Sequence, residues 1–396
     1  MTIPRALRIG VVTNGLPIIG GVERCVLEDT RELVEAGHHV EVWHRPARSG
    51  RPDDGKAPYD RIGVPTHLAS DYRFSVRTAP RDVLRFVREG LRIRRAHLDV
   101  LWLNRPEHLL WGRVVSTIAG VPLAVHLHHA PNYRRVAPFA GGRTHFFAVS
   151  HVMARAWADV GVPADRITIV PNGVDTAAFP SATPAEVFRA RRALGIDLTV
   201  QTVLYYGRLT RAKGVVALLE AWGRVLAQVP ARQAAAGGGT SEQHLGDPLL
   251  VLAGPLVPDD ALDVRRAIAS LPAGSVLVLP ERDDVVPLLH AADLVVAPSI
   301  EPEGFGRVVV EAMSAGHPVV ASAAGGTGEI LAGEWARFTV DPLDADALAG
   351  SVLRALGEVR ESPSLSVRSR AFVRDHHGRA QHVSALLRAL LEHAQR

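Results

Sequence analysis

Short apolar runs rich in β-branched residues alternate along this chain with longer segments whose apolar positions recur every three or four residues. The first pattern predicts buried strands, and the second predicts amphipathic helices. In the first half, strands are predicted at 7–12, 39–43, 99–103, 122–127 and 146–149, with the first helix at 22–36. This alternation predicts a mainly parallel sheet covered by helices on both faces.

The same rhythm restarts in the second half of the chain. Strands are predicted at 202–206, 249–253, 275–279, 294–297 and 318–321, and helices at 214–226, 283–291 and 307–315. The predicted fold is therefore α/β, with two Rossmann-like, doubly wound domains in tandem facing across a cleft. We expect the domains at 1–180 and 196–365, joined near 171–196, and a helical segment at 366–396 that packs back toward the first domain. The Ala/Gly-rich stretch 234–246 is predicted to be a flexible surface loop.

Composition narrows the class of protein. The chain has 396 residues with 45 Lys plus Arg against 41 Asp plus Glu, and 47% of its residues are apolar. These are values of a globular protein, and the net charge of +4 is too small for a general nucleic-acid binder. The one cysteine, Cys25, cannot form a disulfide framework or a four-cysteine zinc site. With no signal-peptide pattern and no apolar run of membrane-spanning length, we expect a cytoplasmic protein.

The turn after the first predicted strand carries Gly20 and Gly21 directly before a helix. Glycines at this place let backbone N–H groups approach a phosphate at the helix N-terminus, although a tight turn would need them equally. The dinucleotide fingerprint G-x-G-x-x-G is absent, which argues against a nicotinamide or flavin enzyme.

A basic turn follows the first strand of the second domain. Arg208 and Lys213 lie between that strand and the next helix, and Lys213 is one of only two lysines in the chain. Two cations beside a helix N-terminus suit a diphosphate and would stabilise the charge that grows on it as a bond breaks. A solvated loop with ordinary surface charges is the alternative.

Two glutamates, Glu303 and Glu311, stand eight positions apart around a Gly-Phe-Gly turn. Glu311 lies within an apolar predicted helix, where a buried carboxylate needs a partner such as the two hydroxyls of a ribose. Glu303 would be repelled by a phosphate, so it is predicted to accept hydrogen bonds from sugar hydroxyls or to pair with Arg208 or Lys213. A helix-start glutamate and a structural salt bridge would give the same pattern.

These motifs resemble retaining glycosyltransferase family 4, whose members have two Rossmann-like domains in the GT-B arrangement. In the second half the resemblance rests on Gly207-Arg208, Lys213-Gly214, the strand end Val295-Val296-Ala297-Pro298-Ser299, Glu303-Gly304-Phe305-Gly306, Glu311-Ala312-Met313 and Gly316-His317-Pro318. In the first half it rests on Gly20-Gly21-Val22-Glu23 and on Val170-Pro171-Asn172-Gly173-Val174-Asp175. One departure is the Thr327-Gly328-Glu329 stretch, where the family usually has Pro-Glu, so Glu329 is given no donor role.

The resemblance implies a role for each matching residue. Arg208 and Lys213 would hold the donor diphosphate, Glu311 the nucleotide ribose, and Glu303 the donor sugar. Further contacts with the donor are implied for Phe305 and Gly306 through their backbone N–H groups, for Gly21 from the opposite domain, and for Arg282. The family implies retention of the anomeric configuration, and neither a metal ion nor another cofactor is expected.

Three histidines follow the strand predicted at 122–127. His128 matches the histidine that the family often carries here, and it is predicted to be catalytic by hydrogen bonding or proton transfer. His129 is placed with Gly20 on the acceptor side, and His126 is expected to be structural. A metal site is the rival interpretation, but no carboxylate stands at a suitable spacing nearby in the sequence.

Arginines recur at three- and four-residue steps at Arg81, Arg85, Arg88, Arg92 and Arg95. On a helix they form one stripe, with Val83, Leu84, Val87 and Leu91 offering apolar contacts on another face. A solvated helix face is the preferred interpretation, and peripheral docking on an anionic membrane is the alternative.

Together these features predict a retaining, metal-independent glycosyltransferase that moves a hexose from a nucleotide diphosphate sugar, taken to be a UDP-sugar. The acceptor is expected to be a small, aminocyclitol-like molecule or a lipid-linked cell-envelope glycan. A nucleotide-sugar epimerase of similar form, which would need no acceptor, and a non-catalytic sugar-nucleotide binding protein are the rival classes.

Overall fold

The computed structural model describes residues 5–18, 20–45, 55–132, 134–235 and 247–395, and for 230–235 it describes the backbone alone. By their internal contacts these residues form two units, 1–173 with 380–396, and 174–379. The chain therefore enters the second unit at 174, whereas the first domain is predicted to end at 180. Of the loop predicted at 234–246, residues 236–246 lie outside the described residues.

The first unit contains a seven-stranded parallel sheet. Its strands are β1 (Arg8–Thr13), β2 (His39–His44), β3 (Thr66–Leu68), β4 (Val100–Leu103), β5 (Leu123–Leu127), β6 (Thr144–Ala148) and β7 (Ile167–Ile169), and its helices include α1 (Gly21–Glu35), α2 (Ala57–Arg61), α3 (Ala79–Arg94), α4 (Leu109–Ala119) and α5 (His151–Asp159). The spatial order is β3-β2-β1-β4-β5-β6-β7. The order reverses between β1 and β4, which is where sheets of this kind bind ligands beyond their carboxyl ends.

The second unit contains a six-stranded parallel sheet in the order β10-β9-β8-β11-β12-β13. The chain order of its elements is α6 (Pro184–Leu194), β8 (Thr202–Tyr206), α7 (Val215–Ala235), β9 (Leu249–Ala253), α8 (Ala261–Ala269), β10 (Val276–Leu279), α9 (Val286–Ala291), β11 (Leu294–Ala297), α10 (Arg307–Ser314), β12 (Val319–Ser322), α11 (Gly326–Ile330), β13 (Thr339–Val340), α12 (Ala345–Glu361) and α13 (Ser364–His376). Here the switch point lies between β8 and β11. The two parallel sheets confirm the predicted doubly wound α/β architecture.

Central strands in both sheets read as continuous apolar runs because both of their faces are covered. Every residue of β4 and of β8 is buried. Burial of each large side chain, such as Trp102, contributes roughly 1.5–3 kcal/mol. The strands at 202–206, 249–253 and 294–297 have the predicted bounds, since a run buried on both faces leaves little doubt about its ends.

The helical pattern predicted near the end of the chain is interrupted at 377–378. It forms α13 and a separate helix, α14 (Arg379–Gln395), whose residues from 380 onward belong to the first unit. Leu386, Ala389 and Leu390 of α14 join the apolar core beneath the first sheet. His382 anchors the helix, with its Nε2 2.8 Å from Asp29 Oδ1 and its Nδ1 2.6 Å from the Pro171 carbonyl oxygen.

The arginine stripe lies on α3, as predicted, with Arg95 directly after the last helical residue. Its members differ in their surroundings. Arg85 and Arg92 pair with Asp82 and Glu89 and donate to the backbone carbonyls of Arg73 and Leu68. Arg92 nevertheless keeps 46% of its side-chain surface exposed. Arg81, Arg88 and Arg95 are exposed as well. Val83, Leu84 and Leu91, which were predicted to offer apolar contacts, are all exposed. The prediction of a separate face is wrong for Leu84 and Leu91, which lie three positions after Arg81 and Arg88 and so share their side of the helix. The buried face of the helix is formed instead by residues such as Phe86 and Ile93.

Within the described residues, none of the helices combines the length and the apolar character needed to cross a bilayer.

Candidate functional site

Two loops meet at the switch point of the second sheet. The loop at 207–214 follows β8, and the loop at 298–306 follows the neighbouring strand β11. The backbone N–H groups of Ile300 and Glu301 donate to the Ala212 carbonyl at 2.9 and 3.1 Å. Gly214 has φ +75°, and a Cβ there would lie 1.9 Å from the Pro298 carbonyl oxygen. Only glycine permits this approach, which fixes Lys213 beside the second loop.

Lys213 and Glu303 form an ion pair in this cluster. The distance from Lys213 Nζ to Glu303 Oε1 is 2.5 Å, and the Ser299 hydroxyl donates to the same oxygen at 2.6 Å. Both charged side chains keep more than a quarter of their surface exposed. The carboxylate is thus held by two donors while it remains open to a ligand, and the prediction that Glu303 pairs with Lys213 is confirmed.

Glu311 occupies the buried face of α10, with partners that the sequence analysis did not assign. Its Oε1 accepts from Arg307 Nε at 2.6 Å, and its Oε2 accepts from the Tyr206 hydroxyl at 3.1 Å. Burial raises the pKa of Tyr206 well above its ordinary value, and the charge of Glu311 raises it further, so the phenol stays a donor. The i,i+4 spacing of Arg307 and Glu311 was the available sequence signal.

Arg208 lies in the first loop with its side chain exposed. The Tyr205 hydroxyl donates to the Arg208 carbonyl at 2.8 Å. Burial raises the pKa of Tyr205, Glu303 raises it further, and the Arg208 charge acts in the opposite direction. Arg208 and Glu303 lie at the same end of the sheet because each follows the carboxyl end of one of two neighbouring parallel strands, β8 and β11.

The second loop ends in the N-terminus of α10. Gly306 precedes the helix with φ +104°, a conformation that favours glycine. The loop is hydrogen-bonded to the connection that follows β12, because the Gly326 N–H donates to the Glu303 carbonyl at 2.8 Å. The Phe305 side chain is buried, with its ring edge-on to His377 at 5.8 Å, so only its backbone is suited to ligand binding.

Arg282 is not part of this cluster. It follows β10, and β9 separates β10 from β8 in the sheet. Its side chain is exposed, and its donor role stays a prediction.

The first unit has its own polar cluster at its switch point. Asn14 follows β1, Glu107 and His108 follow β4, and His129 follows β5. Glu107 Oε2 lies 3.2 Å from His129 Nε2, and its Oε1 accepts from Asn14 Nδ2 at 3.4 Å. The hydrogen bond to Glu107 raises the pKa of His129, and the pKa of Glu107 falls to about 2 through its partners despite its burial. Both shifts favour the ionic form of the pair.

No carboxylate stands near these histidines in the sequence, but the fold brings one to them. Glu107 is distant from His129 along the chain, and the adjacency of β4 and β5 brings the two together. The described residues nevertheless contain no group of three side chains that could hold a metal ion.

His128 is buried and stacks on His126 with 4.1 Å between ring centroids. Its Nε2 lies 3.2 Å from Asn104 Oδ1. Burial lowers the pKa of His128 well below its ordinary value, and His126 lowers it further, so the ring is neutral. Gly21 begins α1, and Gly20 before it has an extended backbone. The catalytic role of His128 and the ligand roles of these glycines remain predictions.

Comparison with known proteins agrees with this architecture. The family model Glycosyltransferase Family 4 matches residues 19–178, and the model Glycosyl transferases group 1 matches residues 187–365. The chain is similar to the D-inositol 3-phosphate glycosyltransferase of Acidothermus cellulolyticus, with 28% identity over 389 residues, which covers 89% of this chain and 82% of that protein. An uncharacterized glycosyltransferase of Methanocaldococcus jannaschii is 32% identical over 197 residues, or 50% of this chain and 46% of that protein.

Among solved structures, the chain resembles Anabaena HepE in complex with UDP and glucose. The TM-score is 0.76 at 20% identity, and the match covers 97% of this chain and 99% of that one. The fold is GT-B, and proteins of this class that carry both family models transfer a sugar from a nucleotide sugar. The chain belongs to this family, the group 1 glycosyltransferases with a family 4 first domain.

Proposed function

We propose that this protein transfers a hexose from a UDP-sugar to a hydroxyl group of a cyclitol-type acceptor, with retention of the anomeric configuration and without a metal ion. The observation that carries the proposal is the Lys213–Glu303 ion pair, which lies with Arg208 at the switch point of the second sheet. UDP as the nucleotide is supported by the bound UDP of Anabaena HepE.

The donor would exchange partners with this cluster. The diphosphate attracts Lys213 and the exposed Arg208, so the Lys213 ammonium moves from Glu303 to a phosphate oxygen. Glu303, still held by Ser299, then accepts hydrogen bonds from hydroxyls of the donor sugar. Glu311 has lone pairs left beside Arg307 and Tyr206, and it accepts from the ribose hydroxyls.

The two cations also account for catalysis without a metal ion. Negative charge grows on the diphosphate as its bond to the anomeric carbon breaks, and Arg208, Lys213 and the N-terminus of α10 stabilise that charge. We therefore expect transfer to continue in the presence of EDTA.

The anomeric configuration is retained because the acceptor hydroxyl attacks the anomeric carbon from the same face that the diphosphate leaves. The bond from the anomeric carbon to the phosphate oxygen breaks, the acceptor oxygen bonds to that carbon, and the acceptor proton passes to the leaving phosphate. Glu303 is given no covalent role, because its Oε1 still accepts from the Ser299 hydroxyl after Lys213 has moved to the diphosphate, and its remaining lone pairs accept from the donor hydroxyls.

The acceptor class rests on two observations. The Acidothermus relative carries the name D-inositol 3-phosphate glycosyltransferase, and a cyclitol is a ring of hydroxyl groups. The switch point of the first unit offers a fixed carboxylate, Glu107, as a hydroxyl acceptor.

The test uses the only two lysines of the chain as variant and control. Purified protein is incubated with UDP-sugars, with and without inositol 3-phosphate, myo-inositol or an aminocyclitol, and products are analysed by mass spectrometry and by NMR of the anomeric proton. We expect an acceptor-dependent, retained glycoside, and we expect Lys213→Gln to weaken UDP binding about 10- to 100-fold. Lys56→Gln, at an exposed i,i+4 pair with Asp60, should behave like wild type.

An isomerised sugar nucleotide formed without acceptor would instead establish an epimerase. UDP binding that is equal in the two lysine variants would remove the donor site proposed here.

A further inference from the structure

An apolar and basic surface on α3 has no part in the proposed transfer reaction. Along one exposed line of the helix, arginine and leucine alternate at three- and four-residue steps: Arg81, Leu84, Arg88, Leu91 and Arg95. Leu84 and Leu91 expose about half of their surface, at 50% and 46%. We call these five residues the α3 ridge.

The segment before the helix extends the same apolar character. Val76 is 85% exposed and Phe74 is 41% exposed. Of the 14 large apolar side chains that are exposed in the described part of the chain, five lie between residues 74 and 91. Isolated exposed apolar residues are ordinary on a protein surface, but a cluster of them marks an interaction site.

This surface is also positive. Residues 73–95 contain eight arginines and two acidic residues, which gives a net charge of 8 − 2 = +6. The acidic residues, Asp82 and Glu89, are buried. Asp82 accepts from the Ser75 N–H at 3.1 Å and from the Thr78 hydroxyl at 2.7 Å, so it ties the 74–78 segment to the start of α3. The exposed charges are therefore of one sign, on a backbone held in place from beneath.

We propose that the α3 ridge, with Phe74 and Val76, docks this protein onto the surface of a bilayer that contains anionic phospholipid. Arginine can keep its guanidinium at the phosphates while its stem lies along apolar surface, and the leucines between can enter the boundary of the acyl chains. A polyanion such as RNA would leave the leucines exposed. The centre of a protein–protein interface is depleted of charge, whereas charge alternates with leucine along this whole line.

The test measures co-sedimentation of the full chain with vesicles of phosphatidylcholine alone or mixed with an equal amount of phosphatidylglycerol. We expect binding to the mixed vesicles only. Replacing Arg81, Arg88 and Arg95 with Gln should weaken it about 100-fold, since each cation near an anionic surface contributes about a factor of five. Replacing Leu84 and Leu91 with Gln should weaken it at least about 10-fold.

Matched controls carry the same changes elsewhere on the surface. Arg31, Arg61 and Arg155 are exposed arginines of the first unit, and Leu262 and Val367 are exposed apolar residues of the second. Their Gln variants should bind vesicles like wild type, and all variants should keep wild-type UDP binding, which reports the fold independently of the vesicles.

Three results would overturn the proposal. Wild-type protein could fail to bind mixed vesicles, or both ridge variants could bind as the controls do. Loss of binding in the arginine variant alone would show that the leucines do not enter the bilayer, and the ridge would then be an electrostatic anion site rather than a docking surface of the kind proposed.

Discussion

The switch points of the two sheets both present a carboxylate beside a cation, yet they are built for different ligands. In the second unit, Glu303 and Lys213 keep more than a quarter of their surface exposed, and glycines hold the loops around them. In the first unit, Glu107 is ion-paired with His129, and Arg105 is ion-paired with the buried Glu23. Arg105 is itself largely buried. A diphosphate needs permanent cations that can change partners, and the second site offers the exposed Arg208 together with a lysine in a solvent-accessible pair. The exposed partner of Glu107 in the first site is a titratable imidazole, His129.

In both units the parallel sheet determines where the site lies, and the loops determine its chemistry. Both sites follow from strand order, since each lies where the order reverses. The glycines of the second site bring backbone and cations together, whereas the first site is lined by imidazole, amide and carboxylate groups. Such groups suit the hydroxyls of a neutral or amino-substituted polyol.

The largest expected effect comes from breaking the exposed pair. Glu303→Gln should lower turnover about 10²- to 10³-fold, because the neutral amide holds neither Lys213 nor the donor hydroxyls as the carboxylate does. Steady-state kinetics with the best donor would measure it. Glu301→Gln, an exposed glutamate in the same loop, is the control and should keep wild-type turnover. Equal turnover in the two variants would contradict the distinction drawn between the two sites.

A smaller effect is expected from His108, a half-buried imidazole of the first site. Burial lowers the pKa of His108 to about 4, from an ordinary value near 6.5. Arg45 and Arg105 lower it as well, and Glu107 opposes them. Between these pH values the unfolded chain takes up a proton that the folded protein does not, so the free energy of unfolding falls as the pH drops from about 6.5 to about 4.

His108→Gln should therefore reduce that acid-induced loss of stability by up to about 3 kcal/mol. Urea unfolding at a series of pH values would measure the change. His39→Gln, at an exposed ring, should retain the wild-type slope. A slope that is the same in His108→Gln as in wild type would show that this ring does not resist protonation in the fold.

The sequence predicted much of the second site because its chemistry is local. Lys213, Glu303 and the glycines lie within two short segments that follow apolar strands, so their place at the sheet edge could be read from the chain. Tyr206 was missed as a partner of Glu311 because the two are 105 positions apart, and only the pairing of β8 with β11 brings them together.

The first site was predicted less well for the same reason. The histidines were recognised as a group, but their carboxylate partner stands on another strand end, and its identity depends on which strands are neighbours. Leu84 and Leu91 were predicted to lie on a face apart from the arginines, whereas each stands three positions after an arginine of the stripe and shares its side of the helix. The sequence pattern thus predicts the helices and strands well, but it predicts poorly which side chains of different elements come into contact.

The weakest effect is expected at Glu107 of the first site, where we propose that the acceptor binds. Glu107→Gln keeps the shape of the side chain but removes its charge, so it holds His129 and an acceptor hydroxyl less strongly. We expect the KM for the acceptor found by mass spectrometry to rise about 10-fold, with UDP affinity unchanged. Glu35→Gln, an exposed glutamate of the first unit, is the control and should alter neither constant. If Glu107→Gln instead weakened UDP binding and left the acceptor KM unchanged, the first switch point would belong to the donor, and the division of roles between the two sheets would be wrong.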